Sequence, residues 1–302
     1  MGNERILEIA KHMKLRYGVT RCVAPRKVQY AAPTIAPEGD VELATYGSTM
    51  PENTPSVAIA MVTTDRKEPT IFDTLQNCRD VGFKQRIQIF SQAYYMNCDR
   101  LYAQDKHIAI HDTTRTRGGT ANWKAAALHL SKSSAEWVLI LEDDLQWCRH
   151  GAAILYYTLR QIEQGDDGIK LHRLGLLSAY TSPAMVASAS AVNGWTEAQF
   201  AGATKGLWGA LALCLPMTVL RALIKHPAYT AYDCKSGIDY LIGNILRGAH
   251  EPPLEVKVHV PSLVEHTGAH STIFSDEVLA APGLDALRHG YKFDYEYNEV
   301  SK

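Results

Sequence analysis

The chain has 302 residues, of which 46% are hydrophobic and 21% charged, a composition typical of a folded globular protein rather than a disordered one. Its formal net charge of -1 at pH 7 excludes a whole-molecule field that would attract nucleic acid or an anionic membrane. No stretch has the roughly 18 to 20 uninterrupted apolar residues that a bilayer crossing needs, and residues 1–13 lack a signal-peptide core. We therefore expect a cytoplasmic protein without a transmembrane segment.

Residues 1–55 are predicted to form an N-terminal helix and an extended arm. Apolar residues recur at near-helical spacing over residues 4–17, and residues 31–55 are rich in Pro, Gly, Glu, Thr and Ser with little periodicity. Residues 1–30 hold seven Lys or Arg against two Glu. A solvated helix face explains this excess most simply, and steering of a polyanion such as DNA is the minority interpretation.

The main domain is predicted to span residues 56–302 and to begin with a buried strand, because V-A-I-A-M-V at residues 57–62 is short and fully apolar. Strands alternating with helices predict an α/β fold with a mostly parallel sheet flanked by helices. The next expected elements are a helix over about 70–81, strands over 86–90 and 107–111, and a helix over about 120–131.

A second strongly apolar strand, W-V-L-I-L at residues 137–141, runs directly into the acids Glu142, Asp143 and Asp144. Ligands of open α/β sheets bind beyond the carboxyl ends of strands, so these carboxylates are expected to face a cleft. Further along, an apolar run over 206–215 precedes predicted helices over 217–225 and 238–246 and a strand over 254–260.

Carboxylates in this position suit Mg²⁺ or Mn²⁺, which bind oxygen ligands and then hold a diphosphate. A bound cation stabilises the negative charge of a departing diphosphate without proton transfer. An acidic helix N-cap after a strand is the alternative interpretation of the cluster.

A second candidate segment is P-S-L-V-E-H-T-G-A-H-S at residues 261–271, which places His266 and His270 four residues apart around a glycine. We expect this segment to be a loop in which imidazole reaches a metal and backbone N–H groups approach phosphate. Either histidine alone would more commonly be structural, so the hypothesis rests on its combination with the acidic cluster.

Together, L-I-L-E-D-D and the later P-S-L-V-E-H-T-G-A-H-S resemble the GT-A glycosyltransferases, most closely the N-acetylglucosaminyltransferase IV type. The likeness covers roughly residues 56–272, with E-D-D standing where the family has D-x-D. It implies a GT-A-like, Rossmann-like fold and transfer of a hexosyl or N-acetylhexosaminyl group from a nucleotide sugar, expected to be a UDP-sugar. It also implies that Asp144 and His266 hold Mn²⁺ or Mg²⁺.

The same resemblance implies contacts to the donor at the ends of the early strands and in T-R-T-R-G-G-T-A-N-W-K, a cationic loop that enters a helix. A helix N-terminus near arginine suits a diphosphate, and a flexible surface loop is the alternative. The implied donor contacts are Thr63, Asp65, Arg66, Asp112, Arg117, Asn122, Lys124, Glu142, Asp143, His270 and Ser271.

Inverting members of the superfamily use a carboxylate at a helix start as the general base, which by resemblance is Asp239 in K-S-G-I-D-Y-L-I-G. A plain helix-initiating Asp is the alternative. The acceptor hydroxyl is expected on a glycan or, as a minority hypothesis, on a hydroxymethylated base in DNA. Absence of an anchor separates the chain from Golgi-resident relatives and suggests a bacterial or viral setting.

Two other functions fit parts of the same pattern. A metal-dependent nucleotidyltransferase or phosphohydrolase also places acids at strand ends, although the later histidine segment argues against it. A non-catalytic nucleotide-sugar-binding module is the other alternative. No G-x-x-x-x-G-K-[ST] or G-x-S-x-G motif occurs, which disfavours a P-loop ATPase and an α/β-hydrolase.

Overall fold

The structure is a computed structural model. It describes residues 54–64, 69–92, 98–113, 118–165, 168–182, 185–186, 193–198, 207, 209–232, 237–248, 253–268 and 289–296. The N-terminal helix and nearly all of the arm predicted for residues 1–55 lie outside these ranges, so the domain boundary stays a prediction. Within the ranges, no helix has both the length and the apolar content that a membrane crossing requires.

Strands and helices alternate through the first half of the described chain and follow a less regular order in the second half. The strands are β1 (Val57–Thr63), β2 (Ile87–Ser91), β3 (Ile108–Asp112), β4 (Trp137–Glu142), β5 (Leu145–Trp147), β6 (Leu174–Ser178), β7 (Gly194–Glu197), β8 (Ala212–Pro216), β9 (Glu255–Val260) and β10 (Val264–His266). The helices are α1 (Ile71–Asp80), α2 (Cys98–Gln104), α3 (Gly119–Leu130), α4 (Gly151–Gln164), α5 (Met217–Lys225), α6 (Pro227–Ala231) and α7 (Ile238–Gly248).

Eight of these strands form one mixed sheet in the order β3-β2-β1-β4-β8-β6-β9-β7. The pairs β1–β2, β1–β4, β2–β3 and β6–β9 are parallel, whereas β4–β8, β6–β8 and β7–β9 are antiparallel. The predicted α/β class with a mostly parallel sheet flanked by helices is confirmed. Because β8 reverses direction, the carboxyl ends of β1, β4, β6 and β9 share one sheet edge with the amino end of β8.

The chain moves outward from β1 to β3 and then returns to β4 on the other side of β1. Right-handed crossovers then place α3 on the opposite face from α1 and α2, so β1 and β4 are covered on both faces. This explains why both strands read as continuous apolar runs. The ring of Phe83, three residues after α1, lies 5.0 Å from that of Trp147 in β5 and 5.9 Å from that of Tyr156 in α4, which links these elements.

Two expectations about the chain needed correction. The segment over 261–271 is not wholly a loop, because residues 264–266 form β10 and pair antiparallel with β5 in a separate two-stranded sheet. Residues 151–164, for which no element was predicted, form the 14-residue helix α4. The predicted helices around α1, α3, α5 and α7 and the predicted strands β1, β2, β3, β4 and β9 are present.

Candidate functional site

The carboxyl ends of β1 and β4 lie side by side at the point where the strand order reverses, the position where open α/β sheets bind ligands. Asp143 follows β4 there and is almost fully buried. The hydroxyl of Thr63, the last residue of β1, donates to Asp143 Oδ2 at 2.5 Å. The hydroxyl of Thr74 in α1 donates to the backbone carbonyl of Asp143 at 2.7 Å. Asp143 is therefore tied to the scaffold by both its side chain and its backbone.

Asp144 and His266 are 122 residues apart in the sequence and adjacent in the fold, with His266 Nε2 3.0 Å from Asp144 Oδ2. The register of β5 and β10 brings them together, because His266 pairs with Leu145, the residue directly after Asp144. The backbone N–H of Thr267 donates to the carbonyl of Asp144 at 2.8 Å and continues this contact. Both side chains are largely buried, at 3% exposure for Asp144 and 16% for His266.

Gly268, two residues after His266, also lies directly against the side chain of Asp144. A Cβ placed on this glycine would lie 3.1 Å from Asp144 Cγ and 3.2 Å from Asp144 Cβ, and closer still to Asp144 Oδ2. These separations are shorter than ordinary van der Waals contact, so only a residue without a side chain leaves the carboxylate in place. The H-T-G sequence after β10 thus shapes the space around Asp144.

The predicted ligand atoms, Asp144 Oδ2 and His266 Nε2, have the chemistry that suits a hard or borderline divalent cation. A carboxylate oxygen and an imidazole nitrogen both bind Mn²⁺, and adjacent ligands of an octahedral ion with bonds of about 2.1 Å lie about 3.0 Å apart. The 3.0 Å contact between His266 Nε2 and Asp144 Oδ2 is a hydrogen bond, and it places the two atoms next to each other, as adjacent ligands of one ion would have to be. The described part of the chain contains no group of three or more metal-ligating side chains. A cation held by one or two protein ligands is the usual arrangement where diphosphate oxygens supply the rest.

Asp239 is the second residue of α7, and its Oδ2 accepts the backbone N–H of Gly209 at 2.6 Å. Gly209 lies beside the acidic cluster because the next strand, β8, pairs with β4, and the N–H of Glu142 donates to the carbonyl of Leu211 at 2.8 Å. Gly209 has a φ of +89°, and a Cβ there would lie 2.8 Å from the Tyr180 ring. The contact to Asp239 therefore requires glycine at this position.

Burial raises the pKa of the Asp239 carboxyl, although backbone N–H groups of Gly209 and Tyr240 oppose the shift. The residue is half-buried, and the loss of solvent around its carboxyl disfavours the charged form more than the backbone N–H groups of Gly209, Tyr240 and Asp239 itself favour it. A carboxyl with a raised pKa is a better proton acceptor than an ordinary exposed aspartate.

Asn122 joins the ends of two strands and is buried at 1% exposure. Its Nδ2 donates to the carbonyls of Thr63 and Phe90, each at 2.9 Å, and its Oδ1 accepts the hydroxyl of Thr113 at 2.7 Å. These bonds use the amide within the protein, so the structure gives Asn122 a scaffold role beneath the site.

Lys124 is directed toward α6 rather than toward the acidic cluster. Its ammonium donates to the carbonyl of Tyr229 at 2.8 Å and to that of Tyr232 at 3.4 Å, and it lies 5.0 Å from the centroid of the Tyr229 ring. The predicted donor contact of Lys124 thus competes with an internal role that the structure already provides.

The remaining predicted site residues divide into two sets. Glu142 is half-buried at the end of β4, and Asp112 is exposed at the end of the edge strand β3, two strands away from β1. The residues outside the described ranges, which stay predictions, are Asp65, Arg66, Arg117, His270 and Ser271.

Sequence reasoning did not single out Thr74, whose hydroxyl bonds the backbone of the acidic turn, or Glu265, whose carboxylate accepts the N–H of Gly290 at 2.9 Å. A threonine inside an amphipathic helix and a glutamate in a short strand carry no local pattern that marks such contacts.

No protein-family model and no curated protein sequence matches the chain. Among solved structures, it is similar to a mannosyltransferase from Pyrobaculum calidifontis in complex with GDP-Man and Mn²⁺, with 13% identity, a TM-score of 0.42, and coverage of 70% of this chain and 59% of the other. It is also similar to GalNAc-T7 with UDP, GalNAc and Mn²⁺, with 8% identity, a TM-score of 0.51, and coverage of 74% and 45%.

The chain thus spans about half the length of these solved structures. At such low identity the likeness concerns the fold. The finer resemblance to the N-acetylglucosaminyltransferase IV type stays a prediction. The described residues have an α/β, GT-A-like fold, similar to that of GalNAc-T7.

Proposed function

We propose that the chain is a metal-dependent glycosyltransferase that moves a sugar from a nucleotide-diphosphate sugar to a hydroxyl acceptor with inversion. The observation that carries the proposal is the contact between Asp144 and His266, 122 residues apart, at the carboxyl ends of the sheet strands. This pair offers one hard and one borderline ligand at the place where α/β folds bind nucleotides.

Asp144 and His266 would hold the Mn²⁺ or Mg²⁺, whose positive charge would stabilise the diphosphate as it leaves. Asp143 supports this arrangement from the scaffold, since Thr63 and Thr74 fix both its side chain and its backbone. Rigid support of this kind keeps ligand atoms in place before the donor binds, so little reorganisation is needed during reaction.

In the reaction, the acceptor oxygen forms a bond to the anomeric carbon while the bond from that carbon to the phosphate oxygen breaks. The electron pair of the broken bond leaves with the nucleoside diphosphate. The acceptor proton passes to the carboxylate of Asp239, whose raised pKa favours this transfer. A single displacement inverts the anomeric configuration, and retention in the isolated product would exclude this role for Asp239.

A UDP-sugar is the proposed donor, supported by the motif resemblance and by the fold shared with GalNAc-T7, which was solved with UDP, GalNAc and Mn²⁺. A hexosyl or N-acetylhexosaminyl group is the proposed cargo. The proposed acceptor is a glycan, with a hydroxymethylated DNA base as the second choice, in a cytoplasmic, bacterial or viral setting.

The direct test is donor cleavage with water as the acceptor. The purified chain is incubated with UDP-, GDP- and TDP-sugars and Mn²⁺, and released nucleoside diphosphate is measured with and without EDTA. We expect release from one donor, loss of release with EDTA, and loss in Asp144→Asn and His266→Ala. The exposed Asp99→Asn and His172→Ala are matched controls that should retain activity. Silence across the panel, or release that survives EDTA and both site variants, would contradict the proposal.

A further inference from the structure

The described C-terminal segment, residues 289–296, packs directly behind the strand that carries His266, and we call it the C-terminal brace. Glu265 makes the contact: its Oε1 lies 2.7 Å from Nδ1 of His289, and its Oε2 accepts the backbone N–H of Gly290 at 2.9 Å. The two contacts join β10 to chain 24 and 25 residues further on. Both carboxylate oxygens of Glu265 therefore hold the brace.

Glu265 and His266 are consecutive residues of one strand, so their side chains point to opposite faces. His266 is directed toward Asp144, and Glu265 toward the brace. The contacts of Glu265 with the brace therefore also restrain the backbone of His266, on the face of β10 opposite Asp144.

Backbone contacts extend the attachment. The N–H of Ser262 donates to the carbonyl of Tyr291 at 2.8 Å, and the N–H of Tyr291 donates to the carbonyl of Thr181 at 2.7 Å. A Cβ on Gly290 would lie 2.5 Å from the carbonyl oxygen of Val264 and 2.9 Å from Ser262 Cβ, so the brace approaches β10 as closely as a backbone can.

The strand needs this support. β5 and β10 have three residues each and form their own two-stranded sheet, separate from the main one. A two-stranded pair of this size is at best marginally stable by itself, so β10 depends on contacts beyond its pairing with β5. Leu263 and Val264 are fully buried, and the N–H of Leu263 donates to the carbonyl of Ala179 at 2.9 Å. The brace supplies the contacts on the side of Glu265.

We propose that Glu265 is a positioning residue for the metal ligand His266 and that the C-terminal brace is a structural part of the cation site. This inference rests on the proposed function, because it assumes that His266 binds the cation. Groups that orient a metal ligand from outside the coordination sphere typically change metal affinity by about 10- to 100-fold when they are lost. We expect the lower end, about tenfold, because Glu265 acts on His266 through the backbone.

The test measures Mn²⁺ binding directly, by the loss of the electron paramagnetic resonance signal of free Mn²⁺, with and without UDP. Glu265→Ala removes both contacts to the brace and should weaken Mn²⁺ binding about tenfold. Glu265→Gln keeps an acceptor for the Gly290 N–H and a polar group toward His289, and should restore most of the affinity. Glu296→Ala is the matched control, because Glu296 also lies in the brace and its side chain forms an exposed ion pair with Arg149, which this variant removes.

Gly290→Ala is a second variant that should separate the brace from β10, because its methyl group would collide with the carbonyl oxygen of Val264, and it removes no charge. It replaces Glu265→Ala in the test if that variant folds poorly. Binding is measured well below the melting temperature of each variant. If wild type binds Mn²⁺ and both Glu265→Ala and Gly290→Ala bind it equally well, the inference is overturned while the proposed function stands. If wild type binds no Mn²⁺ in either condition, the cation site of the proposed function fails, and the inference fails with it.

Discussion

Replacing Gly268 with alanine should damage the cation site without damaging the fold. The added methyl carbon would lie 3.1 Å from Cγ and 3.2 Å from Cβ of Asp144, and nearer to Oδ2. Non-bonded carbon atoms settle at about 3.5 to 4.0 Å, so the carboxylate or the backbone of residue 268 must move by about 0.5 Å or more. A displacement of that size is at the limit that a working ligand site tolerates.

The expected result is a rise of about 10- to 100-fold in the Mn²⁺ concentration needed for half-maximal donor cleavage. Gly268 does not have a positive φ, so alanine adds no backbone strain there. The crowding against Asp144 should cost about 1 to 3 kcal/mol, and the restriction of the unfolded chain by alanine offsets about 0.4 to 1 kcal/mol of that cost. The protein should therefore stay folded at the temperature of the assay.

The assay is a Mn²⁺ titration of donor cleavage together with a thermal melt of the same preparation. Gly248→Ala is the matched control, because a Cβ at the end of α7 meets no atom within 4 Å. It should leave the Mn²⁺ requirement unchanged and leave the melting temperature equal to that of wild type or slightly higher. An unchanged Mn²⁺ requirement in Gly268→Ala would show that Asp144 is not a cation ligand held in place by this contact.

Three further predictions follow from buried contacts. The raised pKa of Asp239 means that the folded state binds this proton more tightly than the unfolded state, so wild type loses stability as pH rises above the ordinary value of 3.8 and through the raised pKa. The melting temperature of Asp239→Asn, relative to that of wild type, should therefore rise as the pH is increased from 4 to 8. A difference that stays constant over this range would contradict the raised pKa of Asp239. Thr63→Val removes the donor to buried Asp143 and should cost about 1.5 to 3 kcal/mol in urea denaturation, whereas Thr63→Ser should cost less. Lys124→Met should cost about 1 to 2 kcal/mol with the KM for the donor unchanged, because its ammonium bonds carbonyls of α6, and a raised KM at unchanged stability would instead support the predicted diphosphate contact.

Local sequence patterns were sufficient to predict the strands that are buried along their whole length and the helices that bury only one face. β1 and β4 are covered on both faces and therefore read as unbroken apolar runs, and the polar residues after them mark the edge where ligands bind. The helix α4 escaped prediction because eight of its fourteen residues are buried, including three in succession at residues 154–156, which blurs the amphipathic period. The four-residue edge strand β7 has no fully buried position and no alternating pattern to recognise.

The site was predictable as two motifs but not as one arrangement. Nothing in E-D-D or in H-T-G-A-H specifies that three-residue strands will pair His266 with Leu145, because such pairing depends on the tertiary fold around it. The same dependence on the tertiary fold applies to Lys124. The cationic loop before α3 suggests an anion site, but the position of α6 determines that the Lys124 ammonium donates to the carbonyl of Tyr229. Contacts between segments far apart in sequence were the part that required the structure.

Glycosyl transfer is distinguished from other metal-dependent cleavage of a nucleotide sugar by which bond of the donor is broken. The chain is incubated with the active nucleotide sugar and Mn²⁺, and the nucleotide and sugar products are separated by chromatography and identified by mass. A glycosyltransferase with water as the acceptor yields nucleoside diphosphate and free sugar, and this is the predicted result, lost in Asp144→Asn. Nucleoside monophosphate together with sugar 1-phosphate would instead show cleavage within the diphosphate, contradict glycosyl transfer, and assign the same cation site to a nucleotidyltransferase or phosphohydrolase.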